Sequence, residues 1–228
     1  MEGAAAMNFM AIIKSLDELL YEVLSWLIFY PITLWRTLTR PLSMMDYSDR
    51  ELGQTEEQQY TDTLSPPLFL LVSLLVSHGL ELALIGDSPL IASKRGLAAL
   101  VTDDTSLLML RLVVFGVFPL VFAARMVRLQ KHGLTRATLR RPFYAQCYAV
   151  APFALVFSIG STLGQLHPLW VQVVALALQL MALIAFGLVQ ARWFSQHLKR
   201  SFLRGFGYAS LAMIESLVLL ALTTPFLT

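Results

Sequence analysis

The chain has 228 residues, of which 57% are hydrophobic and only 14% charged, with a net charge of +2. Its mean hydropathy is +0.65. A soluble domain carries about 25% charged residues, so this composition excludes a disordered chain, a disulfide scaffold and an ordinary water-soluble fold. The small net charge, with no zinc or RNA-binding motif, excludes a nucleic-acid binder. An all-α, polytopic membrane helix bundle remains.

Taken in chain order, the first element is an amphipathic helix over about 12–38. Ile12, Ile13, Leu16, Leu19, Leu20, Val23, Leu24 and Leu27 share one face, and Lys14, Asp17, Glu18, Tyr21, Glu22 and Ser25 the other. Pro31 is expected to kink or break it. The apolar run from Val23 to Trp35 is too short to cross a bilayer, which predicts a helix lying in the interface with Trp26, Tyr30 and Trp35 at headgroup depth. The rival, a sixth span, needs Glu22 inside the membrane. Residues 46–62 are polar and acidic without apolar period, and read as a solvated linker with at most a helical turn. The chain thus divides into an N-terminal segment, 1–62, and a membrane domain, 63–228.

Five stretches reach the roughly 20 apolar residues a membrane helix needs: about 67–86, 107–127, 143–164, 169–190 and 207–227. Fourteen of the seventeen Lys and Arg residues fall before the first span or in the loops after the second and fourth. Only Lys94 and Arg95 face the other side, and Arg111 lies within span two. The positive-inside rule then puts the N-terminus in the cytoplasm and the C-terminus outside. The compartment expected is the bacterial cytoplasmic membrane. Segment 1–62 is acidic and the two inner loops basic, which suggests that the acidic N-terminal helix folds back over those loops; the rival is that both are solvated. Trp170 and Trp193 bracket span four as an aromatic belt would. Asp103 and Asp104 suit the N-terminus of span two.

Charged and polar groups in hydrocarbon are the functional pointers. Glu81 and Arg111 fall at similar depth near the outer surface, with His78 one turn before Glu81. They form either a helix–helix clamp or a proton or substrate site. Glu215 falls near the midplane of span five with no basic neighbour in its own helix. Gln179 of span four lies at similar depth and is its expected hydrogen-bond partner, a polar cavity being the alternative. Gly160 and Gly164 form a G-x-x-x-G step that permits close packing. Pro119 and Pro152 invite kinks. His132, His167 and His197 read as loop residues, and the lone Cys147 as a small apolar one. The sequence offers no catalytic constellation, metal-ligand spacing or nucleotide-binding motif, so neither an enzyme nor a cofactor is expected. The partners expected are the lipid bilayer, a second copy of the chain and a protein at the cytoplasmic face.

The layout resembles the Yip family of five-span membrane proteins and their bacterial permease-like relatives. The residues that carry the resemblance are Leu34-Trp-Arg-Thr-Leu-Thr-Arg-Pro41 before the linker, Ser65-Pro-Pro-Leu68 opening span one, and Tyr148 four residues before Pro152 in span three. The resemblance implies a non-enzymatic scaffold or partner- and lipid-interacting protein. Residues Glu81, Arg111 and Glu215 match no site of that family. They support the rival reading of a small permease or channel.

Overall fold

The computed structural model describes residues 2–86 and 103–223, with side chains over 14–86 and 103–222. The Lys94–Arg95 pair and the last residues of the fifth expected span lie outside them. The described residues are helical without strands: α1 (Glu2–Thr39), α2 (Pro41–Glu51), α3 (Pro66–Ile85), α4 (Asp104–Leu129), α5 (Arg136–Leu163), α6 (Leu169–His197) and α7 (Phe202–Thr223). A single 3-10 turn, Glu56–Gln58, separates α2 from α3. Five helices, α3 to α7, are long and apolar enough to cross a membrane. The chain is therefore an all-α bundle with the character of a multi-pass integral membrane protein.

The helix boundaries follow from capping chemistry. Asp103 accepts from the Ser106 backbone N–H at 2.8 Å and Thr135 from that of Thr138 at 3.2 Å, each within a reciprocal capping box. Pro66 opens α3 where its missing N–H costs nothing. At the other ends, α4 and α6 close on Lys131 and Lys199, both in the left-handed region (φ 60° and 50°). His132 N–H then reaches back to Val127 and Arg200 N–H to Ser195, closing the last turn. These lysines also place positive charge at helix C-termini, where the dipole favours it. We call this the basic end of the bundle.

The central helix is α5, with two-thirds of its most apolar stretch buried, against about a fifth for α6 and α7. Its Ala145, Ala149, Ala151 and Ala154 are small enough for α3, α4 and α6 to pack closely. A ladder of rings fills the space between α4, α5 and α6. Phe153 stacks on Phe186 at 4.7 Å, and Phe118 and Phe122 meet them edge-on. The outer faces of α6 and α7 expose Val173, Leu176, Leu180, Ile184, Ile214 and Leu217. An apolar surface of that extent needs lipid to cover it.

The N-terminal segment differs from expectation in three ways. First, Pro31 does not break α1, which runs on as one helix to Thr39. Second, residues 46–51 of the expected linker belong to a full helix, α2, that starts at Pro41. Met44, Met45, Ser48 and Glu51 of α2 are buried against α5. The apolar pair lies just before the acidic run, so the run itself showed no period. Third, the contact with the membrane bundle is made by α2 and by the C-terminal part of α1, where Tyr30 packs on Phe69; Asp17, Glu18 and Glu22 of α1 stay exposed. Apolar residues Leu16, Leu20, Leu24, Leu27 and Ile28 of α1 are exposed as well. Trp193 is a further correction: it is 2% exposed, packed on Phe194 and His197, and belongs to the core rather than to an interfacial belt. The same contact, with Asp46 at 3.6 Å, takes His197 out of the class of loop residues.

Candidate functional site

The structure brings His78, Glu81 and Arg111 together at the end of the bundle away from the basic loops. His78 and Glu81 lie one turn apart on the inward face of α3, both buried, 7% and 2% exposed. Arg111 enters from the second turn of α4 and donates Nη2 to Glu81 Oε2. Its Nη1 is buried without a hydrogen-bond partner. The His78 ring lies between two carboxylates, with Nδ1 3.9 Å from Glu81 and Nε2 3.8 Å from Asp104, and neither nitrogen makes a hydrogen bond.

A cavity of about 410 Å³ opens beside this cluster between α4 and α5. Glu81, Arg111, Ser158, Ser161, Thr162 and Gln165 form its polar part. Leu107, Leu110, Val114, Phe115 and Phe157 form its apolar part. The α5 contributors recur at helical spacing, so one face of its last two turns is polar.

Glu215 and Gln179 are not paired in the structure. Glu215 accepts a two-pronged contact from Arg125 of α4, with Nε at 3.0 Å from Oε2 and Nη2 on Oε1. A fork of this kind fits a carboxylate closely. Arg125 counts as a loop cation by sequence position, yet it lies within the last turns of α4 with its side chain 17% exposed. Gln179 instead lies over Gly160: a Cβ added there would sit 2.7 Å from its Cγ and 3.1 Å from the Ala175 carbonyl. Gly160 is thus a close crossing of α5 and α6.

Two further polar networks join residues whose partners the sequence does not indicate. Gln146 of α5 and Gln190 of α6 exchange side-chain hydrogen bonds at 3.0 and 2.6 Å, both fully buried. At the basic end, Arg36 donates to Asp62 at 2.7 Å and Tyr47 to the other oxygen at 2.7 Å. Thr63 links Tyr47 to Tyr148, whose hydroxyl donates to the Leu64 carbonyl at 2.7 Å. Leu64 N–H in turn donates to Thr33 of α1. Burial pushes the Asp62 carboxyl up, but the Arg36 and Tyr47 hydrogen bonds outweigh it and hold the group below its ordinary 3.8. Glu51 accepts from the Tyr60 backbone N–H at 2.6 Å and holds that residue's left-handed turn (φ 55°). Burial raises the Tyr60 phenol to about 12. Burial likewise raises Asp49, with His197 and Arg141 drawing it back.

Among the described residues no group of three or more His, Cys, Asp or Glu side chains could hold a metal ion. Compared with family models, with curated proteins and with solved structures, the chain finds no match.

Proposed function

We propose that this chain is a non-enzymatic membrane scaffold of Yip-like layout, with α1 and α2 as its cytoplasmic platform for partner and lipid. The proposed setting is the bacterial cytoplasmic membrane, with the C-terminus outside and a second copy of the chain as one partner. One observation carries the reading. The C-terminal half of α1 is pinned to the bundle through Thr33 and Arg36, while its apolar stripe from Leu16 to Ile28 is left uncovered. A stripe of that size at a bundle end is suited to the interfacial layer of a bilayer, with Asp17, Glu18 and Glu22 turned to water.

Spin labels placed singly along 16–28 in liposomes test this. Labels at Leu20 and Leu24 should be reached by a lipid-soluble relaxant, and labels at Glu18 and Glu22 by a water-soluble one. Uniform exposure to water along the stripe sinks the reading.

The cavity beside Glu81 and Arg111 favours the second reading, a small permease or channel. Arg125 counts against Glu215 as its working carboxyl, because both carboxylate oxygens are already engaged by the guanidinium. Solute flux across liposomes carrying the protein would favour the permease.

A further inference from the structure

We infer that the cavity between α4 and α5 is a binding site for the oxyanion head of an amphiphile, with Arg111 as its cation. The inference rests on the reading of the chain as bilayer-embedded. Three observations lead to it.

The first is unspent donor capacity. Arg111 commits one nitrogen to Glu81, while its Nη1 is buried without a partner. The hydroxyls that line the same cavity are free as well. In α3 and α7 the buried hydroxyls bond back to their own helix, Ser73 to Phe69, Ser77 to Leu74 and Ser216 to Ala212. Among the described residues, Ser158, Ser161 and Thr162 make no such bond. A row of hydroxyls beside a guanidinium is a donor set for phosphate or carboxylate oxygen.

The second is segregation. The polar lining gathers on Arg111, Glu81 and the last turns of α5, and the remaining wall is Leu107, Leu110, Val114, Phe115 and Phe157. A small soluble anion needs only the first part, whereas an amphiphile uses both. The third is depth. Glu81 lies one turn before the end of α3, Arg111 two turns into α4, and Thr162 beside the end of α5. All three lie within about two turns of the helix ends, so a headgroup drawn in to Arg111 leaves its chains in the hydrocarbon when such helices span a bilayer. Glu81 balances Arg111, so the site is rich in donors without being basic overall. That suits a head in which an ammonium accompanies the phosphate, as in phosphatidylethanolamine.

The test is native mass spectrometry of the delipidated full chain in detergent, titrated with phosphatidylethanolamine and, separately, with diacylglycerol, which has the chains without the phosphate. The wild type should retain one phosphatidylethanolamine at concentrations where diacylglycerol is not held. Arg111→Gln combined with Glu81→Gln removes the cation without stranding its partner and should weaken retention about tenfold or more. The variant Ser158→Ala, Ser161→Ala, Thr162→Val leaves the ion pair in place, so it stays informative if the first fails to fold; it too should lose retention. Unchanged retention in that triple variant, or equal retention of diacylglycerol, overturns the inference. Inorganic phosphate at millimolar concentration separates the sources. Displacement of the lipid would assign the site to a free oxyanion, and its absence to the headgroup; both keep the oxyanion chemistry. Failure here shows as lipid retention, whereas failure of the embedded-scaffold reading shows in the α1 spin labels.

Discussion

At the residue scale, the membrane domain is held by polar groups that answer one another across helices. Gln146 and Gln190 satisfy each other's amide, so removing one strands the other in the core. Gln146→Leu should destabilise by about 2 kcal/mol, the cost of an unsatisfied buried amide, whereas Gln146→Leu with Gln190→Leu should lie near the wild type. Thermal unfolding in detergent reads the difference, and equal losses in single and double variants would refute the pairing. Arg125 and Glu215 follow the same logic at higher stakes. Glu215→Gln leaves a cation inside the bundle, at roughly 3 kcal/mol; adding Arg125→Gln should restore most of the loss. Both cases show where a sequence stops being legible. Glu215 stands out in an apolar run, and its depth suggests a partner. Which helix supplies that partner depends on how α4 and α7 cross, which no local pattern encodes. Arg125 sits in a stretch that reads as the start of a basic loop, so its role as the counter-ion is invisible until the crossing is known. Glu81 and Arg111 could be matched by depth alone because α3 and α4 are consecutive and antiparallel.

At the element scale, close crossings decide how the helices sit. Gly205, in the first turn of α7, faces α6: an added Cβ would collide with the Ala191 carbonyl and stand 2.9 Å from the Ser195 nitrogen. Both are backbone atoms, which cannot rotate away. Gly205→Ala should therefore destabilise by about 1–3 kcal/mol, while Gly187→Ala, with nothing within 4 Å, should not; unfolding midpoints of the two variants check this. The clasp that ties α1 to the 60–64 segment has a pH signature. The Asp62 carboxyl is held below 3.8 by Arg36 and Tyr47, so the folded state favours its ionised form. The stabilisation is present above 3.8 and is lost as pH falls through the lower folded value. The protection of the Leu64 N–H, which bonds to Thr33, relative to a free amide at the same pH should fall below about pH 4, and Asp62→Asn should remove the pH step. The five spans were legible because 20 apolar residues between charges have few other fates. Helix α2 was not, because its buried face is two methionines, a serine and a glutamate. That face is recognisable as a core only when α5 is set against it.

At the scale of the whole molecule, charge and apolar surface are arranged on one axis. The basic loops, α2 and the clasp gather at one end, and the His78–Glu81–Arg111 cluster with its cavity at the other. If the positive-inside rule governs this chain, a reporter active only outside the cytoplasm should work when fused after residue 228 and stay silent when fused before residue 1. Activity at both ends would mean an even number of crossings and would make α1 a span. The two amides between α5 and α6 carry a mechanical consequence. A helix that ratchets past its neighbour moves by a turn, about 5.4 Å, and hydrogen bonds near 3 Å do not survive such a stroke. With Gln179 seated over Gly160 further along the same pair, α5 and α6 resist axial slip and act as a single beam. α2 is fastened to one end of that beam, and Ser158 and Thr162 are built into the other, within a helix about 42 Å long. Any displacement of α2 would therefore arrive at the cavity as displacement of its polar wall, without any rearrangement between the two helices.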